Sequence, residues 1–263
     1  MTKEERYEAL VERVRKCGQM NAGGKCMEGK QCCNAGRDPK LVPYKECDEI
    51  NLWTYWQGGK RHLNTPTKIL LVGQDWGSMD TKVYEEARIV ENIVQKRKEN
   101  PDEYLSYTEG NNNPTDKNLI ELFRSIDPKI DITKDCPGIF FTNFVLCYRE
   151  STKISGGYKA TWGNNCGRHF KELVDILEPK IILCLGKSVY QGVMKALGGT
   201  VKKESYNSLL DRHEPSIVNG YTIFPLAHCG GMGTANRNRN KQPKPECKLY
   251  YQKEDWAAIK KYL

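Results

Sequence analysis

The sequence predicts an α/β protein in three layers: a parallel sheet of four strands covered by helices on both faces. Two observations carry this. Four short apolar runs lie at about 68–73, 138–143, 180–185 and 221–227, and segments of helical spacing stand between them. Strands that alternate with helices pair in parallel and bury both faces of the sheet. No internal repeat is visible, so residues 1–263 are read as one domain, with 1–60 as a Cys-rich N-terminal extension packed on it.

The elements follow in order. Residues 2–16 have helical spacing, with Tyr7, Leu10, Val11 and Val14 on one face, and Thr2 with Glu5 fits a capping box. Residues 18–48 are rich in Gly, Lys and Cys and need a staple to fold. The aromatic stretch over 51–58 reads as packing against the sheet edge. The first strand, about 68–73, leads to a helical segment around 82–98 and a polar loop over 99–115. A helix around 116–126 spaces Leu119, Leu122, Phe123 and Ile126 for burial. The second strand is 138–143, followed by a long loop (147–165) and an amphipathic helix at about 166–177. The third strand is 180–185, with a helix near 187–197. The fourth is 221–227, and a last helix spans about 254–262.

Composition narrows the class of protein. Hydrophobic residues make up 38%, and the mean hydropathy is −0.68, which fits a soluble chain. The apolar runs fall well short of the roughly 18 residues that a membrane span needs. The N-terminus, Met1-Thr2-Lys3-Glu4-Glu5-Arg6, is charged from its start, unlike a signal peptide, and the expected location is the cytoplasm. Lys and Arg number 41 against 33 Asp and Glu, a net charge of +8 that favours polyanionic partners. No membrane association and no obligate protein partner is indicated, and monomer is the default. Eleven cysteines in a chain without an export signal point to metal binding or catalysis before disulfides. Cys184, inside an apolar run, reads as a small core residue.

The polar residues at the strand ends carry the chemistry. Gly73-Gln74-Asp75-Trp76-Gly77 follows the first strand and Ala227-His228-Cys229-Gly230-Gly231 follows the fourth. Ligands bind in the crevice at the carboxyl ends of the strands in an open α/β sheet, so an Asp and a His distant in sequence meet there. Asp75, flanked by glycines, suits holding a water or stabilising a developing cation; its ordinary alternative is a helix cap. His228 suits donation to an oxyanion on a leaving group, against a purely structural histidine. Asn143, with a donor and an acceptor on one carboxamide, suits reading the edge of an extruded base, against a turn-forming Asn. The run over 230–239 exposes backbone N–H groups, with Asn236, Arg237 and Arg239 as donors to phosphate and Met232 as an apolar wedge. A solvated loop is its plain alternative.

These three motifs, spanning about residues 68–240, resemble in order and placement the uracil-DNA glycosylase superfamily. Gly73-Gln74-Asp75 is similar to the family 1 form of the first catalytic motif, while Trp76-Gly77 ends more like the family 4 form. Phe141-Thr142-Asn143-Phe144-Val145-Leu146-Cys147 is similar to the family 4 segment with its base-reading Asn and a cluster cysteine. Leu226-Ala227-His228-Cys229-Gly230 stands where the family has His-Pro-Ser. The resemblance implies a four-stranded parallel sheet, DNA as substrate, nucleotide flipping and hydrolysis of the N-glycosidic bond by a monofunctional glycosylase. It makes Asp75 and His228 catalytic, and Gln74, Trp76, Asn143 and Thr115 the contacts to the base.

The resemblance to family 4 also implies a [4Fe–4S] cluster. Cys17 matches the first ligand and Cys147 and Cys166 the later pair. The second early ligand is open among Cys26, Cys32, Cys33 and Cys47, of which Cys33 is taken. Four thiolates also suit Zn²⁺, and the chemistry itself needs no cofactor. Thr115 stands where the family commonly has an aromatic that stacks on uracil, and Cys229 replaces the Pro after the His. A smaller residue at 115 widens the pocket, so the expected base is uracil or a bulkier modified pyrimidine. Repair and defence against phages with modified bases are both open settings. The competing class is a non-catalytic DNA-binding or damage-sensing module on the same fold, which would need neither Asp75 nor His228.

Overall fold

The structure is a computed structural model and describes residues 1–20, 41–42, 52, 56–75, 113–146, 148–149, 158, 160–244 and 247–263. Its strands are β1 (Leu41–Val42), β2 (Ile69–Gly73), β3 (Ile139–Asn143), β4 (Tyr148–Arg149), β5 (Ile181–Leu185), β6 (Ser216–Val218) and β7 (Tyr221–Leu226). Its helices are α1 (Lys3–Met20), α2 (Pro114–Ile126), α3 (Ala160–Leu177), α4 (Lys187–Ala196), α5 (Tyr206–Leu210), α6 (Gly231–Asn238) and α7 (Tyr250–Ala257), the last running into a 3₁₀ turn over Ala258–Tyr262.

Period-two alternation builds the layers. Along β2, Leu70 and Val72 join one core with Phe140, Ile182, Cys184 and Ile223, while Ile69 and Leu71 join a second with Ile139, Phe141, Leu183 and Phe224. The first core is closed by α1, α3 and α4 through Tyr7, Leu10, Phe170, Leu173 and Val193. The second is closed by α2 and α7 through Leu122, Phe123 and Trp256. The strands are apolar nearly throughout because both faces are buried.

The strand order is β3-β2-β5-β7-β6. β3, β2, β5 and β7 pair in parallel, as the alternation of strands and helices predicts. A fifth strand was not expected. β6 pairs antiparallel with β7 across Asn219 and Gly220, both at positive φ (48° and 85°), the backbone of a two-residue hairpin. Asn-Gly between two apolar runs is the sequence signal for such a turn. Pairing with β6 reaches only Ile223, before Pro225, which has no N–H to give to a ladder.

The other departures are at helix ends. The capping box forms: Thr2 N–H donates to Glu5 Oε2 (2.8 Å) and Glu5 N–H to Thr2 Oγ1 (3.1 Å). α1 runs four residues past the expected 16, and α3 begins at Ala160, six residues before the expected 166. α7 begins at Tyr250, ahead of the expected 254. The expected helix around 82–98 lies outside the described residues. Trp56 is buried against the edge of β3, its ring 5.8 Å from that of Phe141, and Gln57 O accepts from Phe141 N–H (3.0 Å). The aromatic stretch therefore covers a sheet edge at these two residues, as read. A separate two-stranded ladder joins β1 to β4, with Leu41 opposite Arg149 and Val42 opposite Tyr148.

Phe140 ties the first core together. It is 1% exposed, meets Tyr7 of α1 edge-on at 6.4 Å, and lies so close to Gly58 that a Cβ there would come within 3.0 Å of its ring. Phe140→Ala is expected to lower the unfolding free energy by about 3–5 kcal/mol in urea denaturation. A change within about 0.5 kcal/mol, the range of surface substitutions, would overturn this account of the core.

Candidate active site

Parallel pairing in register brings Gly73, the last residue of β2, opposite Asn143, the last of β3. A Cβ on Gly73 would stand 2.4 Å from Asn143 Oδ1, closer than real Cβ contacts come. Glycine at 73 is what allows the carboxamide to lie across the strand end. The loops beyond are tied to each other: Phe144 N–H donates to Gly73 O and Val145 N–H to Gln74 O, both at 2.9 Å. Gln74 Nε2 donates to Asp75 Oδ2 (3.0 Å). Asn143 is buried, and Gln74 and Asp75 are half-buried.

His228 follows β7. Gly230 N–H donates to its Nδ1 at 3.0 Å. A ring nitrogen that accepts carries no proton, so the imidazole is neutral with its proton on Nε2. Its side chain is exposed by surface area, yet protein surrounds it on enough sides that desolvation lowers its pKa, partly offset by the charge of Asp75. Asp75 and His228 both follow carboxyl ends of parallel strands at one edge of the sheet, near enough for the carboxylate's charge to act on the imidazole. Thr115 joins them from the first turn of α2, where Asn113 caps the helix by accepting from Thr115 N–H (2.9 Å) and Pro114 follows the cap. A Cβ on Gly230 would lie 3.1 Å from His228 Nδ1 and 3.2 Å from Thr115 Oγ1, so the two side chains flank one glycine.

Beneath His228 lies a set of polar residues that sequence reasoning missed. Gln252, fully buried, donates from Nε2 to His228 O (3.1 Å) and accepts at Oε1 from Thr234 Oγ1 (2.7 Å). Asn118 Nδ2 donates to Cys229 O (2.7 Å). Gly233 packs so tightly that a Cβ would come within 2.0 Å of His228 O. A signal for Gln252 exists: it shares a helical stripe with Leu249, Trp256 and Ile259, all buried, where a polar residue demands partners. A helix begun at 254 excludes it, whereas the helix begins at Tyr250.

The Gly-rich run after His228 is a helix, α6, and this corrects one assignment. Met232 (73% exposed), Asn236 and Arg239 face solvent, with Arg239 Nη2 donating to Asn236 Oδ1 (2.8 Å). Arg237 does not. It is 1% exposed, held by Asp255 through Nε (2.7 Å) and Nη2 (2.6 Å) and by Asp211 through Nη1 (2.7 Å). Helical periodicity explains the division: 232, 236 and 239 share a face, and 234 and 237 share the opposite one. Arg237 is therefore no phosphate contact.

Trp76, Cys33 and Cys147 lie outside the described residues, as does the side chain of Cys17. Cys166 is buried on α3 (5% exposed). Among the described residues no group of three or more His, Cys, Asp or Glu is arranged to hold a metal, and no helix is long and apolar enough to cross a membrane.

Compared with known families, residues 61–252 match the family model of the uracil DNA glycosylase superfamily. No curated protein matches the chain. The match covers β2, β3, β5, β7, α6 and the start of α7, so every residue of the strand-end site described above falls within it.

Arg237 of α6 and Arg239, the residue after its last turn, should separate cleanly. Arg239→Ala is expected to reduce the slope of log binding constant against log salt for duplex DNA by about 1, with stability unchanged. Arg237→Met, which leaves buried Asp255 with only His213 beside it (Nε2 to Oδ1 3.0 Å), is expected to cost about 3 kcal/mol of stability in denaturant and to leave the salt slope as it was. A changed slope in Arg237→Met that retains its fold would reverse the assignment.

Proposed function

The chain belongs to the uracil DNA glycosylase superfamily, and on that basis we propose that it is a monofunctional DNA glycosylase that flips uracil or a bulkier modified pyrimidine out of DNA and hydrolyses its N-glycosidic bond. The observation that carries this reading is the in-register parallel sheet, which delivers Asp75, Asn143 and His228 to the carboxyl ends of its strands, where the charge of Asp75 is felt at His228.

The C1′–N bond breaks with its electron pair leaving on the base, and the sugar gains oxocarbenium character. Asp75, its carboxylate fixed by Gln74, stabilises that cation and orients the water that adds to C1′, accepting its proton. His228 donates a hydrogen bond from Nε2–H to the departing base anion. Asn143 pairs with the edge of the base, with backbone around Gln74 completing the contact. Trp76 supplies stacking. Thr115, small and beside His228, leaves room for a substituent on the ring. Met232, exposed at the start of α6, fills the gap in the base stack, and Asn236 and Arg239 hold the phosphates.

A [4Fe–4S] cluster held by Cys17, Cys33, Cys147 and Cys166, with Zn²⁺ as the alternative, fits as a structural staple that takes no part in this chemistry. Two observations support it. Cys166 is buried on α3, which packs on α1, the helix carrying Cys17. The β1–β4 ladder joins the chain beyond Cys33 to the residues directly after Cys147. Bound, the cluster would crosslink the N-terminal segment to the body. Anaerobically purified protein is expected to contain four irons and four acid-labile sulfides per chain, as the cluster formula requires. Zinc alone would select the alternative, and no metal would remove the staple.

The function is tested with duplexes each carrying uracil, a thymine mismatch or a modified pyrimidine, with abasic sites revealed by alkali. Excision at one base is expected, reduced by orders of magnitude in Asp75→Asn and His228→Ala while DNA binding persists. Because burial lowers the pKa of His228, the neutral imidazole should persist below the ordinary histidine value of about 6.5, so the part of the excision rate that depends on His228 should stay level through that pH and change only at more acid pH. Full activity in both variants would sink the assignment of roles. Binding without excision across the panel would favour the damage-sensing module.

A further inference from the structure

The neutral tautomer of His228 has a structural cause one peptide away. The N–H that meets its Nδ1 belongs to Gly230, and that N–H shares a planar peptide unit with the carbonyl of Cys229. In a trans peptide the carbonyl and the N–H point in opposite directions, so whatever holds one aims the other. Asn118 holds the carbonyl: its Nδ2 donates to Cys229 O at 2.7 Å. A carbonyl only accepts, so the nitrogen of the Asn118 amide must be the atom facing it. The preceding peptide plane is held as well, by Gln252 on His228 O (3.1 Å), and Thr234 fixes the Gln252 amide by donating to Oε1 (2.7 Å). Two consecutive peptide planes are thus oriented from two different helices, α2 and α7.

We propose that Asn118 is a positioning residue for His228, turning the Cys229–Gly230 peptide so that its N–H occupies Nδ1 and the imidazole proton is kept on Nε2, the side that faces a leaving group. The contact made by Asn118 is with the Cys229 carbonyl, so it acts through the peptide and not on the reacting atoms. It sits on α2 three residues beyond Thr115, so the helix that supplies a wall of the pocket also selects the protonation pattern of the general donor. The inference rests on the glycosylase reading for its consequence in catalysis, and on geometry alone for its consequence in the histidine.

The test uses full-length protein labelled with ¹⁵N on its histidine side chains. The chain has four histidines, so His228→Ala identifies the His228 signals. Wild-type protein is expected to show the Nε2–H tautomer of His228. Asn118→Ala, which suits a half-exposed helical position, and Asn118→Asp, which keeps the shape but turns an acceptor toward the carbonyl, are expected to mix or invert the tautomers. Single-turnover excision should fall about 10- to 100-fold in both, with DNA affinity unchanged, as for a catalytic group displaced by a fraction of an ångström to an ångström. An unchanged His228 tautomer in the folded variants would overturn the proposal, whatever happens to the rate. If the wild-type protein excises nothing, the glycosylase reading falls, and the tautomer measurement still decides whether Asn118 controls the histidine.

Discussion

A parallel sheet sends the carboxyl ends of its strands to one edge, and the whole candidate site depends on that constraint. β2, β3 and β7 are separated in sequence by helices and long connections, yet their last residues meet because the ladders run in register: Gly73 opposite Asn143, and Leu185 of the intervening β5 opposite Leu226. An antiparallel arrangement of the same strands would have sent alternate ends to opposite edges. The constraint also explains why the crowded positions are glycines. Where two strand ends converge on a side chain, as Gly73 does on Asn143, a Cβ has no room.

The second feature of the molecule is how much buried polar structure underlies one exposed imidazole. Gln252 and Thr234 are buried there, bonded to each other and, through Gln252, to the His228 carbonyl, and half-buried Asn118 holds the Cys229 carbonyl from α2. Burying such groups is costly unless each finds a partner, and a fully partnered set is rigid in return. The Arg237–Asp255 pair acts similarly on the far side of α6, fixing the helix that exposes Met232. The face turned to solvent and the face turned inward are thus held by different chemistry within a helix of eight residues.

The sheet was legible in the sequence because its strands are continuous apolar runs, and the matching helices because their apolar residues recur at 3.6. The places of Asp75, Asn143 and His228 at strand ends were legible because those ends are marked by an abrupt change from apolar to polar residues, with glycine beside two of them. Arg237 was misread because the Gly-rich run 230–239 resembles a loop, and only helical periodicity reveals that Met232 and Arg237 diverge. β6 was missed although Asn219-Gly220 announced it, since its three residues are too few to show alternation. Asn118 and Gln252 were out of reach in another sense: nothing local distinguishes a helical Asn or Gln bound to a distant backbone carbonyl from one bound to water.

The neutrality of His228 has a consequence for the proposed chemistry. In glycosidic cleavage positive charge grows on the sugar while negative charge grows on the base. Asp75 serves the first, and a hydrogen-bond donor is needed for the second. An imidazolium would serve the base more strongly, but its own charge, close enough to Asp75 to interact with it, would also oppose the oxocarbenium that the carboxylate stabilises. A neutral Nε2–H gives a directed dipole to the leaving group and leaves the field of Asp75 at the sugar nearly intact. Partial burial and an occupied Nδ1 both disfavour protonation, and they act from different sources: the walls of the cleft and one backbone N–H. The glycine at 230 is therefore tied to the chemistry twice, once by the N–H it offers and once by the space it leaves between His228 and Thr115.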